Sequence, residues 1–170
     1  MPGKKAHKSF VLQLLYLMNL CSNNNSRIYM ENISPEINVQ DSEPSPDEYL
    51  KKVLIADDSV FVRNCLSAIL NKENFAIIEA ANGYEAIEKG IKELPDLILM
   101  DLSMPGLDGF KAAETLKNHT RSKHIPIIVI TALATKEHVI QGKQIGIAGF
   151  LVKPFDIDDL CNTITRVLQL

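Results

Sequence analysis

From Lys51 onward, short apolar runs alternate five times with segments of helical periodicity, and this alternation limits the fold more than any other feature. The apolar runs predict strands at 52–56, 75–80, 96–100, 126–130 and 148–152. The segments between and after them predict helices at about 59–71, 84–93, 108–118, 135–144 and 156–169. Strands that alternate with helices are typical of βαβ units. We therefore predict an α/β fold with one parallel sheet covered on both faces.

Polar side chains stand at the carboxyl ends of four predicted strands. Asp57 and Asp58 follow the first apolar run, Asp101 the third, Thr131 the fourth and Lys153 the fifth. In an open parallel sheet the ligand crevice lies outside the carboxyl ends of the strands. We therefore expect these residues to meet in one acidic pocket that contains a single lysine.

Carboxylates crowded into one pocket repel each other, and a bound cation relieves that repulsion. Carboxylate oxygens without a nearby His or Cys suit Mg²⁺, with Mn²⁺ as the alternative. Mg²⁺ usually takes one or two carboxylates and keeps waters, which leaves room for a phosphoryl oxygen. The pattern favours phosphoryl transfer to a carboxylate.

Two of these features also have a simpler interpretation. The sequence Asp57-Asp58-Ser59 could serve only to cap a helix, and Lys153 alone could be a solvated surface lysine. Side chains of this kind at four strand ends are harder to explain in that way, so we favour a functional site.

Residues 51–170 resemble the receiver domain of two-component response regulators, in particular the single-domain chemotaxis type. The resemblance rests on Asp57-Asp58, on "LILMDLSMPGLDGF", on "TALA" from Thr131, and on Lys153-Pro154-Phe155. It implies a flavodoxin-like, doubly wound five-stranded sheet of order 2-1-3-4-5 with five helices. It also implies that Asp101 accepts a phosphoryl group from a histidine kinase or a histidine phosphotransfer protein.

A carboxylate oxygen of Asp101 would be the nucleophile, as in other proteins that form aspartyl phosphates. The resemblance implies that Asp58 binds Mg²⁺ directly and that Asp57 binds it mainly through water. Asp101 and the backbone carbonyl of Ser103 would complete the protein ligands.

The same resemblance assigns the phosphate contacts and the switch. Thr131, Ala132 and Lys153 would surround the phosphoryl group, and Thr131 with Phe150 would respond to it. Phe150 could instead be a plain core aromatic. The peptide bond from Lys153 to Pro154 is a candidate cis bond.

Residues 1–50 differ in composition from the remainder. Residues 1–30 carry four basic and no acidic residues, and residues 31–50 carry six acidic and no basic residues. The apolar stretch 10–20 is compatible with an uncleaved membrane-associating helix, with a weak export signal, or with a native start at Met30. We favour Met30, because it opens a polar leader of disordered composition. The expected division is an extension at 1–50 and a receiver domain at 51–170.

Composition narrows the function further. A chain of 170 residues with 46% hydrophobic content suits one domain with a complete core plus extra length. A net charge of −3 without a basic stripe argues against direct nucleic-acid binding. The cysteines at 21, 65 and 161 lack metal-ligand spacing and suggest reduced thiols in a cytoplasmic protein.

We therefore expect a single-domain response regulator of a two-component phosphorelay rather than an enzyme, since the chain ends after the fifth predicted helix. It would assist its own phosphorylation and dephosphorylation. It would act on a protein target, without membrane contact, as a monomer or a phosphorylation-dependent dimer. One alternative is a phosphorylation-independent binding module. Another is a phosphohydrolase of the haloacid dehalogenase group, which needs an Asp where this chain has Ser103.

Ser103 and Leu133 occupy positions at which the family tunes dephosphorylation. Leu133 cannot hold an attacking water by a hydrogen bond, so we predict slow self-dephosphorylation. Leu133→Glu should change the decay rate of the aspartyl phosphate, measured by loss of label from purified phosphoprotein. An unchanged rate would argue against this role.

Overall fold

Five parallel strands in the order β2-β1-β3-β4-β5 form one sheet, which confirms the predicted fold. The computed structural model describes residues 50–132 and 134–170. The strands are β1 Lys52–Ala56, β2 Ala76–Ala80, β3 Leu97–Asp101, β4 Ile127–Thr131 and β5 Gly149–Val152. The order reverses between β1 and β3, which is where such sheets form their ligand crevice.

Helices cover both faces of the sheet. They are α1 Val60–Lys72, α2 Gly83–Glu93, α3 Gly109–Asn118, α4 Lys136–Ile145 and α5 Ile157–Leu168. Helices α1 and α5 pack on one face, around Leu70 and Leu160. Helices α2, α3 and α4 pack on the other, where Ala86 and Leu116 are fully buried.

The central strands are apolar on both sides because helices cover both sides. Val53 and Ile55 of β1 face α1 and α5, whereas Leu54 and Ala56 face the opposite layer. Alternation of polar and apolar residues is therefore absent from the central strands, as expected for a buried parallel strand. Each fully buried large aliphatic side chain contributes about 1.5–3 kcal/mol to folding.

Four residues at the predicted starts of helices are the capping residues just before them. Ser59, Asp108, Thr135 and Asp156 have extended backbone, and each side chain accepts a backbone N–H from the residue three positions later. Asn82 caps α2 in the same way. These four helices begin one residue later than predicted, because the capping oxygens satisfy N–H groups that lack partners inside the helix, whereas α2 begins one residue earlier, at Gly83.

Glycine lets the β3–α3 loop fold tightly over the end of β3. The backbone N–H of Gly109 donates to the carbonyl of Leu102. A Cβ atom at position 109 would collide with the carbonyl oxygen of Asp101. A Cβ at Gly83 would likewise collide with the carbonyl of Leu107. The loop that follows Asp101 is therefore held between β3 and the start of α2.

The predictions made for residues 1–49 and for Leu133 lie outside the described residues. Among the helices of residues 50–132 and 134–170, none has both the length and the apolar content needed to cross a membrane.

Gly109→Ala should lower the free energy of unfolding by about 3 kcal/mol, because a backbone carbonyl cannot swing away from the added methyl group. Gly146→Ala is the matched control. Gly146 has a φ of 86° but no atom within 4 Å of the added Cβ. Its substitution should cost about 1 kcal/mol from backbone strain alone. Urea unfolding would measure both losses, and an equal or smaller loss at Gly109 would contradict the steric argument.

Candidate functional site

The carboxylates of Asp57, Asp58 and Asp101 converge at the carboxyl edge of the sheet. One oxygen from each lies within 4.8 Å of the others. Asp101 ends β3, and Asp57 and Asp58 directly follow β1, its neighbour in the sheet. Asp57 and Asp101 are only 3% and 6% exposed, whereas Asp58 is exposed. Pairing of β1 with β3 thus brings together acids that are distant in sequence.

Lys153 supplies the positive charge of this cluster. Its Nζ lies 2.8 Å from Oδ2 of Asp57 and 3.5 Å from Oδ1 of Asp101. Its backbone N–H donates to the carbonyl of Thr131, which holds the segment after β5 against the end of β4. The Lys153–Pro154 peptide bond is cis. The lysine therefore bridges the two buried carboxylates.

Local hydrogen bonds fix the direction of Asp57. Its Oδ1 accepts the backbone N–H of Ser59 at 2.9 Å, and its Oδ2 faces Lys153. Its own N–H donates to the carbonyl of Ala80 on β2. Both oxygens of Asp57 are thus engaged within the protein, whereas Asp58 is exposed.

Burial raises the pKa of Asp101 above its ordinary value, and the charge of Asp57 raises it further. Lys153 acts in the opposite direction by attraction and by a hydrogen bond. Three carboxylates and one ammonium group leave the cluster with two formal negative charges. A divalent ion that prefers hard oxygen ligands matches both the charge and the donor atoms, so these residues fit Mg²⁺.

Thr131 and Ser103 lie beside the carboxylate cluster. Thr131 is buried at the end of β4, and Ala132 after it is exposed. Ser103 is exposed, two residues after Asp101. Thr131 and Ser103 line one open cleft of about 360 Å³, where the rings of Phe110 and His138 lie 5.5 Å apart.

Phe150 packs in an apolar cluster on the α4 side of the sheet. Its half-buried ring lies against Leu102, Phe110 and Val129. A Cβ atom added at Gly142 of α4 would collide with the tip of this ring. The ring therefore occupies space that a helical glycine leaves open.

Arg63 makes contacts near the site that were not predicted from the sequence. Its guanidinium donates to the backbone carbonyl of Asp57 and pairs with Glu79 of β2. Glu79 was the available signal, because it is the single charged residue in the apolar strand "AIIEA". A charged group in such a strand needs a partner.

Fold and site together define a receiver domain. The response regulator receiver domain model matches residues 53–165, and the chain belongs to that family.

Similar proteins span most of the described region. Sporulation initiation phosphotransferase F of Bacillus subtilis is 34% identical over 120 residues, which cover 71% of this chain and 95% of that protein. The chemotaxis protein CheY4 of Vibrio cholerae has a solved structure with a TM-score of 0.67 and 34% identity, covering 70% of this chain and 99% of that one. The receiver domain of a Pseudomonas aeruginosa PAO1 sensor histidine kinase has a solved structure with a TM-score of 0.66 and 25% identity, covering 72% of this chain and 100% of that one. That structure holds a magnesium ion coordinated in its active-site cleft.

Asp101→Asn should stabilise the metal-free protein at neutral pH. The folded state raises the pKa of Asp101, so folding disfavours its ionised form. The resulting instability is absent below the unfolded-state pKa and grows as pH rises through the interval up to the raised folded pKa. The gain in Tm from the substitution should therefore be largest at neutral pH and vanish in strong acid. Thermal melts from pH 3 to 8 would test this, and a gain that grows toward acid pH would contradict it.

Proposed function

We propose that this protein is a response regulator that is switched when Asp101 accepts a phosphoryl group in a Mg²⁺-dependent reaction. One observation carries the proposal. Two acids after β1, one acid at the end of β3 and the lysine after β5 meet at a single point in a receiver-family chain. We assign the receiver domain to residues 51–170, preceded by an extension at 1–50.

Asp57, Asp58 and Asp101, together with the backbone carbonyl of Ser103, would hold the metal ion, with Mn²⁺ as an alternative to Mg²⁺. The bound ion would supply positive charge to the oxygens of the transferring phosphoryl group. Support comes from the oxygen-only cluster and from the magnesium ion coordinated in the related sensor-kinase receiver domain.

The carboxylate of Asp101 is the group that would form the new bond to phosphorus, while the donor's phosphorus–nitrogen bond breaks. Burial keeps water away from this carboxylate. Its raised pKa reflects poor solvation of the negative charge, a cost that a bound cation would reduce. Lys153 lies beside Asp101, where its ammonium group would stabilise a phosphoryl oxygen.

Thr131 would transmit the effect of phosphorylation to β5 and to Phe150. Its hydroxyl, at the end of β4, would donate to a phosphoryl oxygen, and the small Ala132 would leave the approach open. The carbonyl of Thr131 accepts the N–H of Lys153, which directly follows β5. A shift of Thr131 would therefore displace the end of β5. Phe150 on β5 would respond by moving within its apolar cluster.

Exposed apolar side chains support two protein-binding surfaces. Val60 and Phe61, at the start of α1, are 59% and 44% exposed close to Asp58. They suit docking of a histidine kinase or a histidine phosphotransfer protein. Ile140 on α4 and Val152 on β5 are 58% and 47% exposed and suit a downstream protein target. The phosphoryl group could instead pass onward in a relay.

Incubating the full chain with Mg²⁺ and acetyl phosphate should add one phosphoryl group, detected by intact mass. Asp101→Asn should abolish the addition, because the nucleophilic oxygen is lost. Replacing Mg²⁺ with EDTA should reduce it strongly. Asp158→Asn, which removes an exposed carboxylate from α5, is the matched control and should be phosphorylated like the parent chain.

Failure of the parent chain to gain a phosphoryl group, from acetyl phosphate and from a broad-specificity histidine kinase alike, would contradict the proposal. Equal labelling of Asp101→Asn would contradict the assigned site.

A further inference from the structure

Arg63 ties helix α1 to the segment that carries Asp57 and Asp58. Its Nη1 donates to the backbone carbonyl of Asp57 at 2.8 Å and approaches the carbonyl of Asp58 at 3.4 Å. The backbone N–H of Arg63 donates to the carbonyl of Ser59 at 3.1 Å. One residue therefore contacts three consecutive carbonyl groups between β1 and α1.

Glu79 holds the guanidinium in place from the neighbouring strand. Its Oε2 lies 3.0 Å from Nε of Arg63, and its Oε1 accepts the hydroxyl of Ser67 at 3.1 Å. Lys89 of α2 donates to the backbone carbonyl of Glu79 at 2.6 Å. The Arg63 side chain is only 11% exposed, which limits its alternative positions. A planar guanidinium with several fixed donors can serve Glu79 and the carbonyls at the same time.

The two acids depend on this arrangement to different degrees. The carboxylate of Asp57 is already directed by Ser59 and Lys153. The side chain of Asp58 is exposed, so its direction follows from the backbone to which it is attached. The carbonyl contacts of Arg63 fix that backbone.

We propose that Arg63, anchored by Glu79, is a positioning residue that sets the Mg²⁺ affinity of the site by fixing the backbone that carries Asp57 and Asp58. The inference rests on the proposed function, since it requires these acids to hold Mg²⁺. Groups that orient metal ligands without touching the metal typically contribute 10- to 100-fold to affinity.

The sign of one substitution separates positioning from simple electrostatics. Arg63→Gln removes a positive charge near the acids, and by Coulomb's law alone this would tighten Mg²⁺ binding. Loss of positioning has the opposite effect. We expect the Mg²⁺ dissociation constant to rise by about tenfold. Calorimetric titration of the full chain with MgCl₂, at a temperature where all variants are folded, measures this directly.

Five further variants complete the test. Arg63→Lys keeps the positive charge but loses the planar guanidinium with its several donors, so it should also weaken Mg²⁺ binding. Glu79→Gln should weaken binding less, and in the double variant with Arg63→Gln it should add nothing. Ser67→Ala removes another partner of Glu79 and tests for general loss of stability. Arg166→Gln removes an exposed arginine from α5. The two controls, Ser67→Ala and Arg166→Gln, should bind Mg²⁺ like the parent chain.

The outcomes distinguish the inference from the proposed function. If the parent chain binds Mg²⁺, Asp58→Asn abolishes binding and Arg63→Gln binds equally or more tightly, the positioning role is wrong and the proposed function stands. If the parent chain does not bind Mg²⁺, both are wrong. Weaker binding by Arg63→Gln and Arg63→Lys, with Ser67→Ala unchanged, establishes the role.

Discussion

The repulsion between Asp57 and Asp101, two buried carboxylates at one edge of the sheet, is the constraint on which the rest of the site depends. Burial and like charge both oppose ionisation of Asp101. Lys153 compensates for only part of this, because one ammonium group cannot balance the charge of three carboxylates. The folded domain thus keeps an excess of negative charge that a divalent cation would reduce. This excess negative charge favours binding of a divalent cation at the site.

The rigid parallel sheet holds the negatively charged side chains together despite their repulsion. Strands β1 and β3 are adjacent and almost fully buried, so the positions of Asp57 and Asp101 follow from the strand register. The carbonyl of Thr131 holds the backbone of Lys153. Gly109 lets the next loop fold over Asp101 without a clash. Core packing therefore supports acids that would otherwise move apart.

The sequence was sufficient to predict the sheet and the four charged residues of the cluster, because both follow from local patterns. Apolar runs define the strands, and their polar ends share one edge. The helix starts at Ser59, Asp108, Thr135 and Asp156 were predicted one residue early, since a capping oxygen acts just outside the helix.

Long-range side-chain partners were less accessible to sequence reasoning. Arg63 and Glu79 are 16 residues apart on different elements, and no local periodicity links them. The preference of Lys153 for Asp57 over Asp101 is a matter of fractions of an ångström that depends on the segment after β5. The space that Gly142 leaves for Phe150 likewise arises only when α4 packs on β5.

Anomalous diffraction from crystals of the full chain soaked in Mn²⁺ would test the central claim most directly, because Mn²⁺ takes the same oxygen ligands as Mg²⁺ and scatters anomalously. We predict a peak among the carboxylates of Asp57, Asp58 and Asp101, with Asp58 and Asp101 as direct ligands. A map without a peak at these three acids, from crystals that leave the cleft accessible, would contradict it.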